Sequence, residues 1–325
     1  MYKKFGNTDL ETSKIVFGCM GSSGFFGHQE EKDSIEAMQT AFDVGINFFD
    51  TAEGYGNGYS EQLLARALAS RRKEIIISSK VSVENMKKDA IIEACNRSLK
   101  NLQTDYIDLY LLHWPVDDVT IEERIEALIE LKEAGKIRYF GVSNFGVKNL
   151  EEVLKITNIS TNQVGYHLLH RAVEFEVLPK CIENNIPIMC YSSLMQGLLA
   201  GKYKSLDDFP ENRARTTLFD NRKHSQARHG GHGAEKEGQE ALDKIWEITN
   251  NSDYTMEELA VGWLKAQQGV GGVLVGTRNK EQSKSLKNLL DVQLDQSLLN
   301  ELTLATDKVK ATIGNNIDMW DHRSK

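Results

Sequence analysis

The segment INFFDTAEGYG, residues 46–56, contains the pattern that decides the fold. A short apolar run ends at a carboxylate, Asp50, and five residues later Tyr55 stands between two glycines. Such a run, bounded by glycine and aspartate, is typical of a buried β-strand that feeds a loop. Because an aspartate that closes a buried strand is costly unless it is paired, we expect a cation close to Asp50.

Seven further short apolar runs are separated from this one and from each other by segments with helical periodicity. Parallel strands need a crossover, so this alternation predicts βαβ units, and eight such units close into a (β/α)8 TIM barrel. A doubly wound open sheet is the alternative, but it would need a phosphate-binding glycine turn after an early strand, and none is found. We expect residues 1–325 to form a single barrel domain. The other apolar runs are residues 15–17, 75–77, 107–112, 138–142, 162–164, 186–190 and 272–275. The helical segments lie near residues 30–44, 60–69, 86–102, 120–134, 148–156, 174–184, 235–250, 255–267, 279–290 and 295–310.

Two segments stand outside this alternation. Residues 2–17 are consistent with a small N-terminal β-hairpin that leads into the first strand. After the seventh strand the chain runs to about residue 234 with little helical period, and this long loop would rise over the C-terminal face of the barrel, where active sites lie. Its histidines, His224, His229 and His232, lack an obvious completing ligand, so we predict no metal site. A polar lid and a solvated loop remain alternative interpretations.

Composition excludes several classes of partner. The 325 residues carry a net charge of −8, whereas nucleic acids and anionic membranes attract basic surfaces, so neither is expected as a partner. No apolar run approaches the ~20 residues needed to cross a bilayer, and no secretory leader is visible. The four cysteines are scattered without paired spacing, which argues against a disulfide framework and favours a cytoplasmic location.

Polar side chains follow the apolar strands, and the carboxyl ends of barrel strands meet at one mouth. Lys80 closes the third strand and His113 the fourth. A tyrosine with an ordinary pKa near ~10 is a poor proton donor, but a neighbouring ammonium lowers that pKa, so Lys80 could tune Tyr55. Asp50 would keep Lys80 charged, and His113 could orient a carbonyl oxygen. The result is a general acid for a developing alkoxide, and the hydride must come from a cofactor.

From Lys4 to the eighth strand, the chain resembles the aldo-keto reductase family. The resemblance implies that Asp50, Tyr55, Lys80 and His113 are the catalytic tetrad, with Tyr55 as the general acid. The matching segments are residues 50–56 followed by Ser60 and Glu61, residues 105–110 leading to His113, residues 132–138, and residues 141–145.

The resemblance also implies NADP(H) lying extended across the barrel mouth. Arg278 offers a planar fork suited to a 2′-phosphate, so NADP(H) is expected in preference to NAD(H). The positions that match carboxamide-binding residues are Ser143, Asn144 and Gln163, and Tyr191 matches the residue that stacks on the nicotinamide. The positions that match pyrophosphate-binding residues are Ser192, Ser193, Leu194, Gly197 and Leu199. The positions that match residues binding the adenosine phosphate are Gly276, Thr277, Arg278 and Gln282.

The expected activity is reduction of a small aldehyde or ketone, sugar and polyol-derived carbonyls included, or the reverse oxidation of an alcohol. Phe25, Phe26 and Trp114 are the candidate walls of the substrate pocket, and Trp320 would either fold over that pocket or pack beneath it. A nicotinamide-binding regulatory protein resembling the potassium-channel β-subunits is the alternative. A metal-dependent isomerase or an aldolase is less favoured, because the former needs carboxylate–histidine clusters and the latter an unpaired lysine.

Overall fold

The computed structural model describes residues 2–24 and 27–320, and eight parallel strands in it close into a barrel. Each barrel strand pairs with the next along the chain, and the last pairs with the first, which confirms the predicted (β/α)8 architecture. An antiparallel hairpin of β1 (Lys3–Lys4) and β2 (Glu11–Thr12) precedes the barrel, as predicted. The barrel strands are β3 (Ile15–Gly18), β4 (Phe48–Asp50), β5 (Ile76–Val81), β6 (Ile107–Leu112), β7 (Ile137–Ser143), β8 (Asn162–Gly165), β9 (Ile188–Tyr191) and β10 (Val270–Val275).

Helices surround the barrel and bury apolar side chains on their inner faces. Side chains cap some of their starts: Thr120 caps one helix, and Thr255 forms a capping box with Glu258 at another. The helices are α1 (Glu31–Asp43), α2 (Tyr59–Leu68), α3 (Lys88–Leu102), α4 (Ile121–Glu133), α5 (Val147–Leu154), α6 (Val177–Glu183), α7 (Glu235–Asn250), α8 (Met256–Ala266), α9 (Lys280–Asp291), α10 (Gln296–Ala305) and α11 (Asp307–Ile313). Within the described residues no helix is both long and apolar enough to span a membrane.

Strand alternation decides which side chains reach the barrel interior. On β6, Leu109 and Leu111 belong to the inner cluster, whereas Tyr110 and Leu112 face the helices. Phe5 of the hairpin packs edge-on against Phe48 and extends the inner cluster. At the carboxyl ends of the strands, the same alternation turns every second side chain inward. These side chains face the mouth of the barrel opposite the hairpin.

The prediction of one helix over residues 295–310 is wrong, because α10 and α11 are separate. Arg171 lies in a distant loop, and its Nη1 donates to the Thr303 carbonyl oxygen at 2.8 Å, to Thr306 Oγ1 at 2.9 Å and to Asp307 Oδ1 at 2.9 Å. Thr306 has φ −112 and ψ 4, outside the helical range. These contacts from Arg171 therefore accompany the end of α10 at Ala305, where the sequence predicted a helix that continues to residue 310.

The long loop after β9 has buried side chains of its own and is not merely solvated. It contains three short 3₁₀ segments, Met195–Ala200, Leu206–Asp208 and Glu211–Arg213. Phe209 and Phe219 are buried and stack with their ring centroids 5.5 Å apart. These aromatic contacts give the loop a small apolar core of its own.

Candidate active site

Three neighbouring strands bring the predicted catalytic side chains to the carboxyl mouth of the barrel. Asp50 ends β4 and pairs in register with Ser78, whose next neighbour on the same face of β5 is Lys80. Lys80 Nζ lies 2.5 Å from Asp50 Oδ1 and 2.8 Å from the Thr51 carbonyl oxygen. It also donates to the Tyr55 hydroxyl at 3.5 Å. The predicted cation beside Asp50 is thus Lys80.

Burial makes the Asp50–Lys80 pair electrostatically strong. The side chains are 2% and 0% exposed, respectively. Burial lowers the pKa of Lys80, but the attraction of Asp50 and Tyr55 outweighs it, so the pKa of the ammonium is raised overall. Lys80 therefore stays charged at neutral pH and presents a fixed cation to Tyr55.

The pKa of Tyr55 differs from the expectation. Burial is the largest influence and raises the pKa of the phenol, and the lowering contributed by Lys80 does not offset it. The sequence reasoning considered the ammonium but could not weigh the loss of solvation. Tyr55 is consequently a protonated hydroxyl at neutral pH, which is the form that a general acid requires.

His113 follows β6 and faces Tyr55, with ring centroids 5.8 Å apart at an interplanar angle of 73°. Burial, with a smaller effect of Lys80, lowers the pKa of His113 to about 3. The imidazole is therefore neutral at physiological pH and can donate one hydrogen bond to a substrate oxygen.

Two carboxylates that sequence reasoning did not assign fix the loop that carries Tyr55. Glu53 accepts from the Ser82 backbone N–H at 2.8 Å and from Asn85 Nδ2 at 2.9 Å. Glu61, at the start of α2, accepts from Ser79 Oγ at 2.6 Å. Both glutamates lie within the motif that carries the family resemblance, and that motif was the available signal for them.

Gln163 contacts Asp50 directly, which was not predicted. Its Nε2 donates to Asp50 Oδ2 at 2.9 Å, and its backbone carbonyl accepts from Ser143 Oγ at 2.8 Å. One residue proposed for the nicotinamide amide thus also holds the carboxylate that pairs with Lys80.

Tyr191 and Asn144 are linked in a chain of side-chain hydrogen bonds that reaches the C-terminal segment. Tyr191 donates its hydroxyl to Asn144 Oδ1 at 2.7 Å, and Trp320 Nε1 donates to the Tyr191 oxygen at 3.1 Å. Asn144 has φ 64, a left-handed conformation that asparagine tolerates better than most residues. Trp320 thus contacts a residue at the end of β9, the strand end from which Tyr191 projects.

The segment proposed to wrap the pyrophosphate has an irregular backbone. Ser192, Gln196 and Gly197 have φ values of 55, 53 and 102. The side chains of Ser193 and Leu199 turn into the protein: Ser193 Oγ donates to the Leu274 carbonyl oxygen, and Leu199 is fully buried. Leu194 is partly buried at this rim.

The segment proposed for the adenosine phosphate follows β10 at the same mouth. Arg278 Nε donates to Gln29 Oε1 at 2.8 Å, and the Arg278 backbone N–H donates to Gln282 Oε1 at 2.9 Å. Thr277 Oγ1 is 2.6 Å from Ser283 Oγ, which turns the hydroxyl into α9. Gly276 is exposed beside them.

Of the three predicted pocket walls, Trp114 follows His113 and is partly buried. Phe25 and Phe26 lie outside the described residues. Across residues 2–24 and 27–320, no three histidine, cysteine or acidic side chains are grouped so as to hold a metal ion.

Comparison with known proteins identifies the family. The family model for the aldo/keto reductase family matches residues 14–306. The aldo-keto reductase YhdN of Bacillus subtilis (strain 168) is 33% identical over 300 residues, covering 89% of this chain and 88% of that protein. The NADH-specific methylglyoxal reductase of Escherichia coli (strain K12) is 28% identical over 334 residues, covering 93% and 98%. The crystal structure of an aldo-keto reductase from Klebsiella pneumoniae in complex with NADPH has 28% identity and a TM-score of 0.75 over 94% of both chains. The chain therefore belongs to the aldo/keto reductase family.

Proposed function

We propose that this protein is an NADP(H)-dependent oxidoreductase that reduces an aldehyde or a ketone to the alcohol, with Tyr55 as the general acid. The observation that carries the proposal is the contact series Asp50–Lys80–Tyr55, with neutral His113 beside the phenol. Membership in the aldo/keto reductase family supports the reaction class.

Each side chain has a distinct part in the proposed reaction. Tyr55 gives its hydroxyl proton to the oxygen of the reduced carbonyl, and the Lys80 ammonium stabilises the phenolate that remains. Asp50 keeps that ammonium charged inside the barrel. His113, as a neutral donor, holds the carbonyl oxygen towards Tyr55. The bound nicotinamide would supply the hydride, which no side chain can provide.

The residues at the mouth fit a nicotinamide dinucleotide. A carboxamide needs hydrogen-bond acceptors as well as donors, and Gln163 Oε1 has no hydrogen-bond partner among the described residues. Tyr191 would supply an aromatic face at the end of β9. Ser143 and Asn144 complete the polar group that would hold the carboxamide.

Arg278 supports NADP(H) as the preferred cofactor. Its Nε and Nη2 donate to Gln29 and to the His28 carbonyl oxygen, whereas Nη1 has no partner within the described residues. A guanidinium held in this way suits a phosphate better than a hydroxyl. One relative is named as NADH-specific and one solved relative is bound to NADPH, so this preference has to be measured.

A panel assay tests the proposal. The purified protein would be mixed with NADPH or NADH and with methylglyoxal, simple aldehydes, sugars and ketopolyols, while nicotinamide absorbance is followed. We expect consumption of NADPH with at least one carbonyl. Tight nucleotide binding without turnover on any carbonyl or alcohol would contradict the proposal and favour a regulatory role.

A further inference from the structure

His224, in the long loop after β9, lies between two carboxylates that come from different parts of the chain. Its Nδ1 is 2.7 Å from Glu211 Oε2, and its Nε2 is 2.8 Å from Glu235 Oε1. Glu211 begins the short 3₁₀ segment Glu211–Arg213, and Glu235 begins α7. The side chains of His224 and Glu235 are 23% and 22% exposed, whereas that of Glu211 is 56% exposed, so solvent screens the contact with Glu211 more than the contact with Glu235. The histidine thus bridges the loop and a helix of the barrel.

This geometry selects one protonation state. A neutral imidazole has one N–H donor and one lone pair, and a lone pair facing a carboxylate at hydrogen-bond distance is repulsive. Only the imidazolium can donate to both Glu211 and Glu235 at once. Charge assistance makes such hydrogen bonds about twice as strong as neutral ones.

Two further ion pairs and an aromatic ring lie beside the His224 bridge. Lys223 Nζ shares Glu235, at 2.8 Å from Oε2, and Asp220 pairs with Arg222 at 2.5 Å. The Phe219 ring covers one side of the imidazole, with centroids 5.1 Å apart. Burial lowers the pKa of His224, but the two glutamates outweigh it, so the pKa of the imidazole is raised above its ordinary value.

The bridge is connected to the segment proposed to wrap the pyrophosphate. Arg213, at the end of the 3₁₀ segment that Glu211 begins, donates from Nη1 to the Gln196 carbonyl oxygen at 3.1 Å. Glu211 also accepts from the Ser225 backbone N–H at 3.2 Å, so both of its carboxylate oxygens are held by residues 224 and 225. Movement of His224 would therefore be passed through Glu211 to Arg213 and Gln196.

We propose that His224 is a pH-dependent positioning residue for the cofactor: as an imidazolium between Glu211 and Glu235, it holds the Glu211–Arg213 segment against the backbone that wraps the pyrophosphate. Loss of its proton leaves one N–H donor, which holds only one glutamate at a time, so the contact with Glu211 is broken in one of the two tautomers and the segment is held less firmly. The inference rests on the proposed function, since it presupposes a dinucleotide at this mouth.

The direction of the pH effect follows from linkage. A histidine whose pKa is raised in the closed loop stabilises that loop fully below the ordinary histidine pKa, about 6.5. The stabilisation is lost as the pH rises through the higher pKa of the closed state. Cofactor binding should therefore weaken from about neutral pH upward.

The test compares wild type with His224→Gln and His232→Gln. Glutamine at 224 does not titrate and is uncharged, and its two N–H donors are on one nitrogen, so it does not reproduce the two charged donors on separate ring atoms of the imidazolium. His232 is an exposed histidine of the same loop and serves as the matched control. NADPH dissociation constants would be measured from pH 6 to pH 9. We expect the wild-type and His232→Gln values to rise about three- to tenfold with pH relative to those of His224→Gln, the range that one lost hydrogen bond gives. Titration of the phosphate of NADPH cancels in these ratios.

A measurement on the cofactor-free protein separates this inference from the proposed function. We expect the imidazole NMR signals of His224 to titrate above the ordinary histidine range, and amide exchange in residues 209–225, corrected for intrinsic rates, to accelerate through the same pH range. An ordinary or lower pKa, or parallel pH profiles of affinity in wild type and His224→Gln, would overturn the positioning role alone. If none of the three proteins binds NADPH while His224 titrates above the ordinary histidine range, the proposed cofactor and the role built on it would both be overturned.

Discussion

Replacing Lys80 by methionine would leave Asp50 without its cation in a site where the carboxylate is 2% exposed. Removing one partner of a buried ion pair typically costs about 3–5 kcal/mol, because the remaining charge is uncompensated. Asp50 keeps its hydrogen bond from Gln163 at 2.9 Å, so we expect the lower end, about 3 kcal/mol. For a chain of this size that corresponds to a fall in Tm of about 5 °C.

The double variant Asp50→Asn/Lys80→Met separates stability from chemistry. With both charges removed, no uncompensated ion remains, so we expect the double variant to be more stable than Lys80→Met by about 1–2 kcal/mol. The buried amide at position 50 and the Thr51 carbonyl oxygen, which loses the ammonium, keep it below wild type. Carbonyl reduction should be lost in Lys80→Met and in the double variant, because neither has an ammonium beside Tyr55. Urea unfolding of wild type, Lys80→Met and the double variant, together with the absorbance assay, measures both quantities. A single variant as stable as wild type, or a double variant as unstable as the single one, would refute the reasoning about this pair.

Three further predictions concern the rest of the mouth. Because burial lowers the pKa of His113 to about 3, its imidazole NMR signals should not titrate between pH 5 and pH 8. Titration within that range would show that burial does not keep the imidazole neutral. Arg278→Leu should raise the dissociation constant of NADPH about tenfold or more while changing that of NADH less than about twofold, and equal changes would remove the assigned phosphate contact. NADPH should alter tryptophan emission more in wild type than in Trp320→Phe, because Trp320 donates to the tyrosine proposed to stack on the nicotinamide, and identical changes would exclude that coupling.

The parts of the fold that the sequence predicted are those set by local patterns. Apolar runs between helical periods predict strands, and eight of them leave few alternatives to a closed barrel. The approach of Lys80 to Asp50 was predictable as well, because the two residues lie near the carboxyl ends of consecutive strands, and a buried carboxylate requires a partner.

Other features depend on contacts between residues far apart in sequence. The split between α10 and α11 is caused by Arg171, more than 130 residues away, as the hydrogen bonds of its guanidinium show. Gln163 reaches Asp50 only because barrel closure sets the direction of its side chain. The raised pKa of Tyr55 reflects burial, which no local motif encodes.

The bridge at His224 illustrates the same limit. In sequence, the loop histidines lacked a completing metal ligand and were consistent with a lid or a solvated loop, and neither interpretation indicated Glu211 and Glu235 as partners. Those two residues lie 13 and 11 positions away along the chain, and only the folded loop brings them to opposite sides of one ring.

Tyr55→Phe tests the central claim most directly. The phenol oxygen contacts Lys80 only at 3.5 Å, so its removal should leave the fold and NADPH binding nearly unchanged. Loss of the general acid should slow reduction of the best aldehyde at least about 100-fold at neutral pH. Reduction by this variant at the wild-type rate, with NADPH affinity also unchanged, would show that the proton comes from elsewhere and would contradict the account.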